Sequence, residues 1–514
     1  MQNIISIGDI ERAAWPCESE KFLPLYLGSG RCGAQFDAWG LMNLPNTAFR
    51  HADAWLSDEN GVDRWKNVFS LGWRGDAPAA PTHFNQKLTL WDGTLSTICE
   101  GSSGRWATRA GFHPGRRDWL FLDIEHTGNF PALELRGLAP LETHENGGSV
   151  WNARLLGCLL TLEIASLEGR ATLAPNENGV AIELGSAGRH QLRIGLARES
   201  RAASLLAERS ALPTPDDLAN ERKIAWQWRW GSAWAQFPAP HLTAFWARSL
   251  FYLLCSYGPD ERSPAAPTGW AAPGWDYGFP QDLSFVLPAF LRLGHFDIAK
   301  AWCENYRREL PRFQNYARDV WNAAGAMTPW HFPIGREVRL GAPGGDWRTL
   351  PNDDWAWYEY QIHNAAYPAR MAHLTSRYLR DETWTREVAW PLVVEAARFF
   401  ASFLERKNGK WSLWARPSSG QDEFGGHNAP NYLDALFGAR YCLSSALELA
   451  RELKIHLPEE NSWRAVLREG LAFERLLDAN SGILRSCENS DWDFRRQKHP
   501  IQLGALAFLP QGNC

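Results

Sequence analysis

The stretch Ser418-Ser419-Gly420-Gln421-Asp422-Glu423-Phe424-Gly425-Gly426-His427-Asn428-Ala429-Pro430-Asn431-Tyr432 sets two adjacent acids, a histidine and two asparagines among glycines, then runs into a helical pattern. Glycines let a backbone come close to a ligand. A carboxyl group in such a loop has its pKa tuned by neighbours, here Asp422 and His427. Those are the requirements of a general acid, which must hold a proton and release it in the transition state. Glu423 is the candidate donor, with Asp422 holding substrate hydroxyls or the glutamate itself. The plain alternative is a solvated acidic loop with Asn431 as the cap of the following helix. The loop alone weighs equally for both.

The elements that must position this loop change character along the chain. Up to about residue 200 the pattern is β. "KLTLWDGTLSTICE" (87–100) alternates around an Asp92-Gly93 turn, and "WLFLDIEH", "LLTLEIASLEG", "GVAIELG" and "HQLRIGLA" follow at strand length. Several strands without intervening helices predict an antiparallel sandwich over residues 1–200. Residues 201–240 read as a helical linker ending in a Pro-rich break. From 241 to 514 apolar residues recur at i, i+3 and i+4, in segments such as "LTAFWARSLFYLLCSY", "WAWYEYQIHNAAYPARMAHLTSRYL", "EVAWPLVVEAARFFASFLERK" and "SWRAVLREGLAFERLL". Paired helices joined by long polar loops predict an α/α barrel.

A chain of 514 residues with 45% hydrophobic and 22% charged residues is globular and too long for one ordinary core. A net charge of -5 and a pI near 6.3 give no footprint for nucleic acid or an anionic membrane. No run of 18 apolar residues occurs, so no membrane partner is expected. Nine scattered cysteines without a CxxC pair suit buried thiols in a reducing compartment, and the N-terminal stretch lacks a signal-peptide pattern, so a cytoplasmic setting is expected. The 28 tryptophans divide the reading. Some fill an aromatic core, and others fit a sugar site, where an indole stacks on the C–H face of a pyranose while polar groups take its hydroxyls.

Other motifs fail on context. Gly28-Ser29-Gly30-Arg31-Cys32-Gly33 fits GxGxxG, with Asp53 20 residues beyond, but no amphipathic helix follows to hold a pyrophosphate, so a turn between strands is predicted. Asn352-Asp353-Asp354 lacks the second acid of a DDxxD array, since Trp357 stands there, and helix capping is the expected job. No HExxH, Walker A or nucleophile elbow is present, and no cofactor or metal is expected.

Four stretches, in order, resemble the family 65 clan of glycoside hydrolases and phosphorylases, with family 95 fucosidases as more distant kin. "GAMTPW" (325–330) is similar to G-A-x-x-P-W, "YQIHNAAYPA" (360–369) to a Y-Q-E-I-H segment, "GQDEFGGHNAPNYLDALFGARYCLSSA" to the G-P-D-E-Y loop and its N-N-A-Y-T-N helix, and "KHPIQLGALAFLP" (498–510) to a K-Q-A-D-V helix start. "GWDYGFPQDLSFVLPAFL" and "LYLGSGRCGAQFD" resemble the family's F-W-D-T-E segment and its G-N-G-R-x-G-A opening. Gln421 and Phe424 depart from the family's proline and tyrosine.

The resemblance implies an N-terminal antiparallel β-supersandwich, linker helices and an (α/α)6 six-hairpin barrel. It places Glu423 as general acid, with Trp275, Asp276 or Asp282, Trp330, Gln361, His363, Asn364, Asp422, His427, Lys498 and His499 around the sugar. Fewer helices are legible than six hairpins require, so the barrel is expected to be incomplete at the C-terminus, with the second catalytic feature beyond it. Asp491, Asp493 and Glu488 occur late, but nothing in their setting marks a base. The expected activity is inverting hydrolysis of a glycosidic bond in a small oligosaccharide or other glycoside. A disaccharide phosphorylase, a non-catalytic sugar-binding barrel and, more remotely, a terpene cyclase stay open, and the sequence does not speak to oligomeric state.

Overall fold

The computed structural model describes residues 1–16, 22–44, 47–57, 63–231, 233–259, 269–270, 278–330, 360–420, 428–488, 490 and 501–508. The chain divides into two compact units, Met1–Tyr277 and Gly278–Cys514.

The first unit is a pair of antiparallel sheets. One has nine strands, in the spatial order Ile10–Arg12, His83–Thr89, Thr94–Gly101, Gly104–Phe112, Trp119–Gly128, Ala187–Arg198, Cys158–Glu168, Val150–Leu155 and Thr143–Gly147. The other has seven, from Ala171–Asn176 through Gly179–Leu184, Leu133–Gly137, Asp63–Trp73, Phe49–Ser57 and Cys32–Phe36 to Leu25–Gly28. Their facing sides meet through rings such as Trp73 on Trp106 at 4.7 Å and Phe49 on Phe112 at 6.3 Å. His83–Thr89 and Thr94–Gly101 bury alternate side chains, as the period-2 pattern predicts, whereas Leu25–Gly28 is buried throughout and Thr143–Gly147 exposed throughout.

The Asp92-Gly93 hairpin is present, with Thr89 paired to Thr94 across a four-residue link. Gly93 has φ +62°, and a Cβ there would lie 2.1 Å from Nε1 of Trp226, so both the turn and the close ring demand glycine. That ring belongs to the linker: helices Ala202–Ser210 (α1) and Pro215–Gly231 (α2) lie on the nine-stranded sheet. Trp226 and Trp230 donate from their indoles to the Phe112 and Leu90 carbonyls. Helix Pro240–Ser256 (α3) packs within this unit too, on the turn Ser6–Gly8 and the strand Leu25–Gly28, so the break between compact units falls after the helix expected to open the barrel.

Gly28–Gly33 is a strand–turn–strand, with Gly28 paired to Gly33. Its Arg31 is buried and bridges Asp53 at 2.9 Å and Asp118 at 2.6 Å. Arg201 bridges the same two acids at 3.2 and 2.6 Å. His51 Nδ1 accepts the Asp53 N–H, so Nε2 carries the proton and donates to Asp118 at 3.0 Å. Asp53, placed where a dinucleotide fold would hold a ribose, is thus consumed by an internal ion cluster that clamps the turn to the linker.

The second unit is helical: Pro280–Arg292 (α4), Phe296–Trp321 (α5), Ala366–Leu379 (α6), Trp390–Ala401 (α7), Leu433–Glu452 (α8) and Glu460–Glu469 (α9). Helix α6 is buried along most of its length and packs against α4, α5, α7 and α8. Its small residues allow that approach: a Cβ on Gly438 of α8 would lie 2.9 Å from Cβ of Ala366. Buried Arg370 ties α6 to α4 by donating to Ser284 Oγ at 2.7 Å and to the Ser284 carbonyl, and to Ala507 O at 2.7 Å.

Three helical expectations are corrected here. The segment expected to be helical from Trp355 has, among its described residues, a bridge at Gln361 and a 3-10 turn over Ile362–Ala365 before α6 begins. Pro368 explains the start, because a ring without an N–H is tolerated only in a helix's first turn. The tail "FLERK" is no helix but the first half of a hairpin, Leu404–Lys407 with Lys410–Leu413, turned at Asn408 and Gly409 with φ of 53° and 81°. "SWRAVLREGLAFERLL" breaks at Gly470, where φ is 89°.

Seven cysteines, Cys32, Cys99, Cys158, Cys255, Cys303, Cys442 and Cys487, are buried thiols, with no disulfide among the described residues. No helix there is long and apolar enough to cross a membrane. The core accounts for Trp106, Trp119, Trp151, Trp226, Trp230, Trp270 and Trp302, all fully buried.

Candidate functional site

Residues 360–365 form a short extended segment and a 3-10 turn leading into α6. Gln361 and Asn364 are held together, since the Asn364 amide donates to the Gln361 carbonyl at 3.0 Å. Gln361, His363 and Asn364 are all buried, at 3%, 0% and 0% exposure, so the turn lies within the protein rather than on its surface.

The stem of the acid loop is fastened to this turn. Ser419 N–H donates to the Tyr360 carbonyl at 2.9 Å, and Gln361 and Ser419 form a parallel bridge. Asn428, at φ 53°, closes the stem with two bonds: its N–H donates to the Ser418 carbonyl at 2.8 Å, and its Oδ1 accepts the Ser418 N–H at 3.0 Å. Tyr432 adds a third tie, its hydroxyl donating to the Ser418 carbonyl and accepting the Ala429 N–H. Asn431 is not the helix cap expected of it. The N-cap of α8 is Tyr432, while Asn431, at φ 60°, exchanges two 2.8 Å bonds with the Leu413 backbone and donates from Nδ2 to Glu488 at 2.6 Å. Glu488 is thereby engaged in holding the stem.

Sequence reasoning missed Asp434. It stands in the first turn of α8, where a negative charge is favoured, and takes the Ala435 N–H at 2.8 Å. Its other carboxylate oxygen lies 3.1 Å from Nδ1 of His363, near enough for an ion pair though off the line of a good hydrogen bond. Burial lowers the His363 pKa and the Asp434 charge opposes that lowering, which leaves the imidazole neutral at neutral pH. Its only trace in the sequence is an acid three residues past Asn431, which in one dimension reads as an ordinary first-turn acid.

On the side of α4, Asp282 occupies the helix's first turn and is exposed to solvent, yet enough protein surrounds it for desolvation to raise its pKa, partly offset by a backbone hydrogen bond. It acts electrostatically on Tyr367, whose ring meets His363 edge-on at 5.9 Å. Three residues before Asp282, Phe279 takes the partly exposed ring of Trp330 at 4.8 Å. Contacts therefore join Gln361, His363 and Asn364 to Asp434 and the loop stem, while Asp282 and Trp330 belong to the same helical unit. Trp275, Asp276, Asp422, Glu423, His427, Lys498 and His499 lie outside the described residues, as do Asn352, Asp353, Asp354, Asp491 and Asp493. No cluster suited to a metal occurs among the described residues.

A separate groove of about 190 Å³ lies on the nine-stranded sheet, lined by Arg105, Arg109, Asp123, Glu125 and Arg189 among others. It presents no aromatic face to a sugar, and Arg105 is paired with Glu100 and Glu125.

No protein-family model matches the sequence, and the search of curated proteins gives no match. Solved structures do match. One named "Putative kojibiose phosphorylase from human microbiome" superposes with a TM-score of 0.69 at 11% identity, over 94% of this chain and 72% of that one. A bacterial glucoamylase complexed with acarbose gives 0.49 at 11% identity, over 91% and 71%. A family GH92 α-mannosidase from Bacteroides thetaiotaomicron gives 0.42 at 11% identity, over 90% and 64%. The first of these likenesses is one of fold: antiparallel β-sheets followed by a helical unit.

Proposed function

We propose that the protein is an inverting glycosidase acting on a small oligosaccharide or other glycoside, with Glu423 as general acid and water as nucleophile. The observation that carries this reading is the stem: Ser418 and Asn428 are bonded twice to each other, and Ser419 is bonded to the turn that bears Gln361, His363 and Asn364. Glu423 lies three residues after Gly420 and five before Asn428, so its tether to the stem is short.

The chemistry follows from that arrangement. Glu423 protonates the glycosidic oxygen as the bond to the anomeric carbon breaks, and water attacks the opposite face, losing a proton to a second carboxylate. Inversion requires the two carboxyls to stand roughly 6.5–9.5 Å apart, leaving room for the water. The partly exposed Trp330 ring offers a stacking face and Asp282 an acceptor for hydroxyls. Trp275, Asp276, Asp422, His427, Lys498 and His499 complete the proposed subsite, and the buried thiols accord with a cytoplasmic setting.

A phosphorylase is the second reading, favoured by the name of the structure that superposes at 0.69. Phosphate would then replace water as nucleophile. A panel of aryl glycosides and disaccharides, with and without phosphate, separates the two. Release of a free sugar without phosphate supports hydrolysis, phosphate-dependent release of a sugar phosphate supports the alternative, and calorimetric binding without turnover points to a lectin-like barrel. Glu423→Gln should lower turnover by about 100- to 10,000-fold while sugar binding persists. Unchanged turnover in that variant removes Glu423 from the mechanism.

A further inference from the structure

Four buried polar atoms at the start of α6 and of α8 have no hydrogen-bond partner: Nδ1 and Nε2 of His363, Oδ1 of Asn364 and Oδ2 of Asp434. Their residues are 0%, 0% and 2% exposed. A polar atom buried unsatisfied costs about 1–3 kcal/mol, so apolar residues would serve stability better here. The presence of these groups calls for another reason.

The reason lies in what the two ends of the pair hold. His363 belongs to the turn whose neighbours Tyr360 and Gln361 carry Ser419, the near side of the loop stem. Asp434 is in the first turn of α8, directly behind Asn428–Tyr432, the far side of the same stem. The 3.1 Å contact between His363 Nδ1 and Asp434 Oδ2 therefore braces the two supports of the acid loop against each other. The contact is not aligned as a hydrogen bond, but a carboxylate oxygen at 3.1 Å repels a lone pair on the facing nitrogen and favours N–H there. Asp434 thus selects the Nδ1–H tautomer and leaves Nε2 as a lone pair. Tyr367, edge-on to the imidazole, limits its rotation from α6.

We propose that Asp434 is a positioning residue of the active site, acting through His363 to fix the base of the Glu423 loop. The proposal rests on the glycosidase reading above and adds to it a residue that touches no substrate. A loop base displaced by about 1 Å costs up to about 100-fold in rate. Asp434→Asn keeps the size but can present either an amide donor or a carbonyl to Nδ1, so it loosens the tautomer without emptying the site.

The test has two arms. Selective ¹⁵N-histidine labelling, with the His363 signal identified by its loss in His363→Gln, reads the tautomer without reference to activity. Wild type should show Nδ1–H, and Asp434→Asn should show a mixture or the other tautomer. In the kinetic arm, Asp434→Asn and His363→Gln should each lower kcat about 10- to 100-fold with KM within about threefold, and the double variant should be no worse than the poorer single one. An Nε2–H tautomer in wild type, additive losses, or an unchanged kcat in Asp434→Asn overturns the proposal. Should Asp434→Asn fail to fold, the wild-type tautomer and the His363→Gln kcat still decide it. Glu423→Gln separates the two failures. If it is inactive while Asp434→Asn is normal, the brace is wrong and the acid stands; if it is fully active, the acid is wrong whatever Asp434 does.

Discussion

Replacing Asn428 by alanine tests whether the stem holds the acid loop in shape. Two costs follow from the structure. Asn428 sits at φ 53°, and alanine in the left-handed region loses about 1 kcal/mol relative to a residue that tolerates it. The Ser418 N–H, on a fully buried residue, loses its acceptor, which costs about 2 kcal/mol. The sum, about 3 kcal/mol, corresponds to roughly 100-fold easier opening of the stem. Unfolding of a two-unit chain does not report one free energy cleanly. Hydrogen exchange of peptides covering 413–432 does, because it reads local opening. Exchange there should rise about 100-fold in Asn428→Ala. Asn428→Asp retains an acceptor oxygen and the left-handed tolerance, and should stay within about 0.5 kcal/mol of wild type. If the stem places Glu423, kcat of Asn428→Ala falls in parallel while KM hardly moves. Wild-type exchange in Asn428→Ala, or equal damage from Asn428→Asp, refutes this account of the stem.

Two further predictions concern the first unit. Arg31→Met takes from the buried Asp53 and Asp118 a cation that bridges both, and should destabilise the turn by about 3–5 kcal/mol; a change below about 1 kcal/mol in hydrogen exchange of peptides covering 25–36 and 49–57 refutes the clamp. Burial raises the Asp37 pKa from 3.8 to about 7, against backbone bonds from Leu41 and Trp39, so the folded state holds that proton more tightly than the unfolded one. The stability it contributes is full below the unfolded value and is lost as pH climbs towards 7, by at most about 4 kcal/mol. Asp37→Asn should flatten stability between about pH 4 and pH 7, and an unchanged pH profile rejects the assignment.

The β half was legible because strand alternation and turn chemistry agree there. Asp92-Gly93 marks a turn, and the GxGxxG run is followed by no helix, so both local readings pointed the same way as the sheets. The helical half was legible in its long amphipathic stretches and failed at their ends. "ERKNGKWSL" contains an Asn-Gly pair at residues 408–409 flanked by strand-length segments, a strong hairpin signal, yet the preceding helical period runs into it and masks it. Pro368 falls inside the amphipathic pattern that starts at Trp355, but its missing N–H fixes the place where that helix can begin.

The site divides along a different line. Glycines around two acids, and the order of four short stretches, are visible in one dimension, so Glu423, Gln361, His363 and Asn364 are candidates from spacing and resemblance alone. What the sequence could not display is which of the remaining polar residues share a neighbourhood. Asn431 resembles a cap because it precedes a helix, but its side chain is spent on Leu413, 18 residues earlier. Asp434 resembles an ordinary first-turn acid until α8 is packed against the start of α6 and a histidine 71 residues upstream arrives within 3.1 Å. Both misreadings have one cause. Caps and dipole pairings are local, so they can be assigned from neighbours in sequence, whereas a contact between buried polar groups on different elements exists only once those elements pack. A loop that delivers a proton depends on the second kind of contact, because hydrogen bonds confined to the loop itself cannot hold it against the rest of the protein.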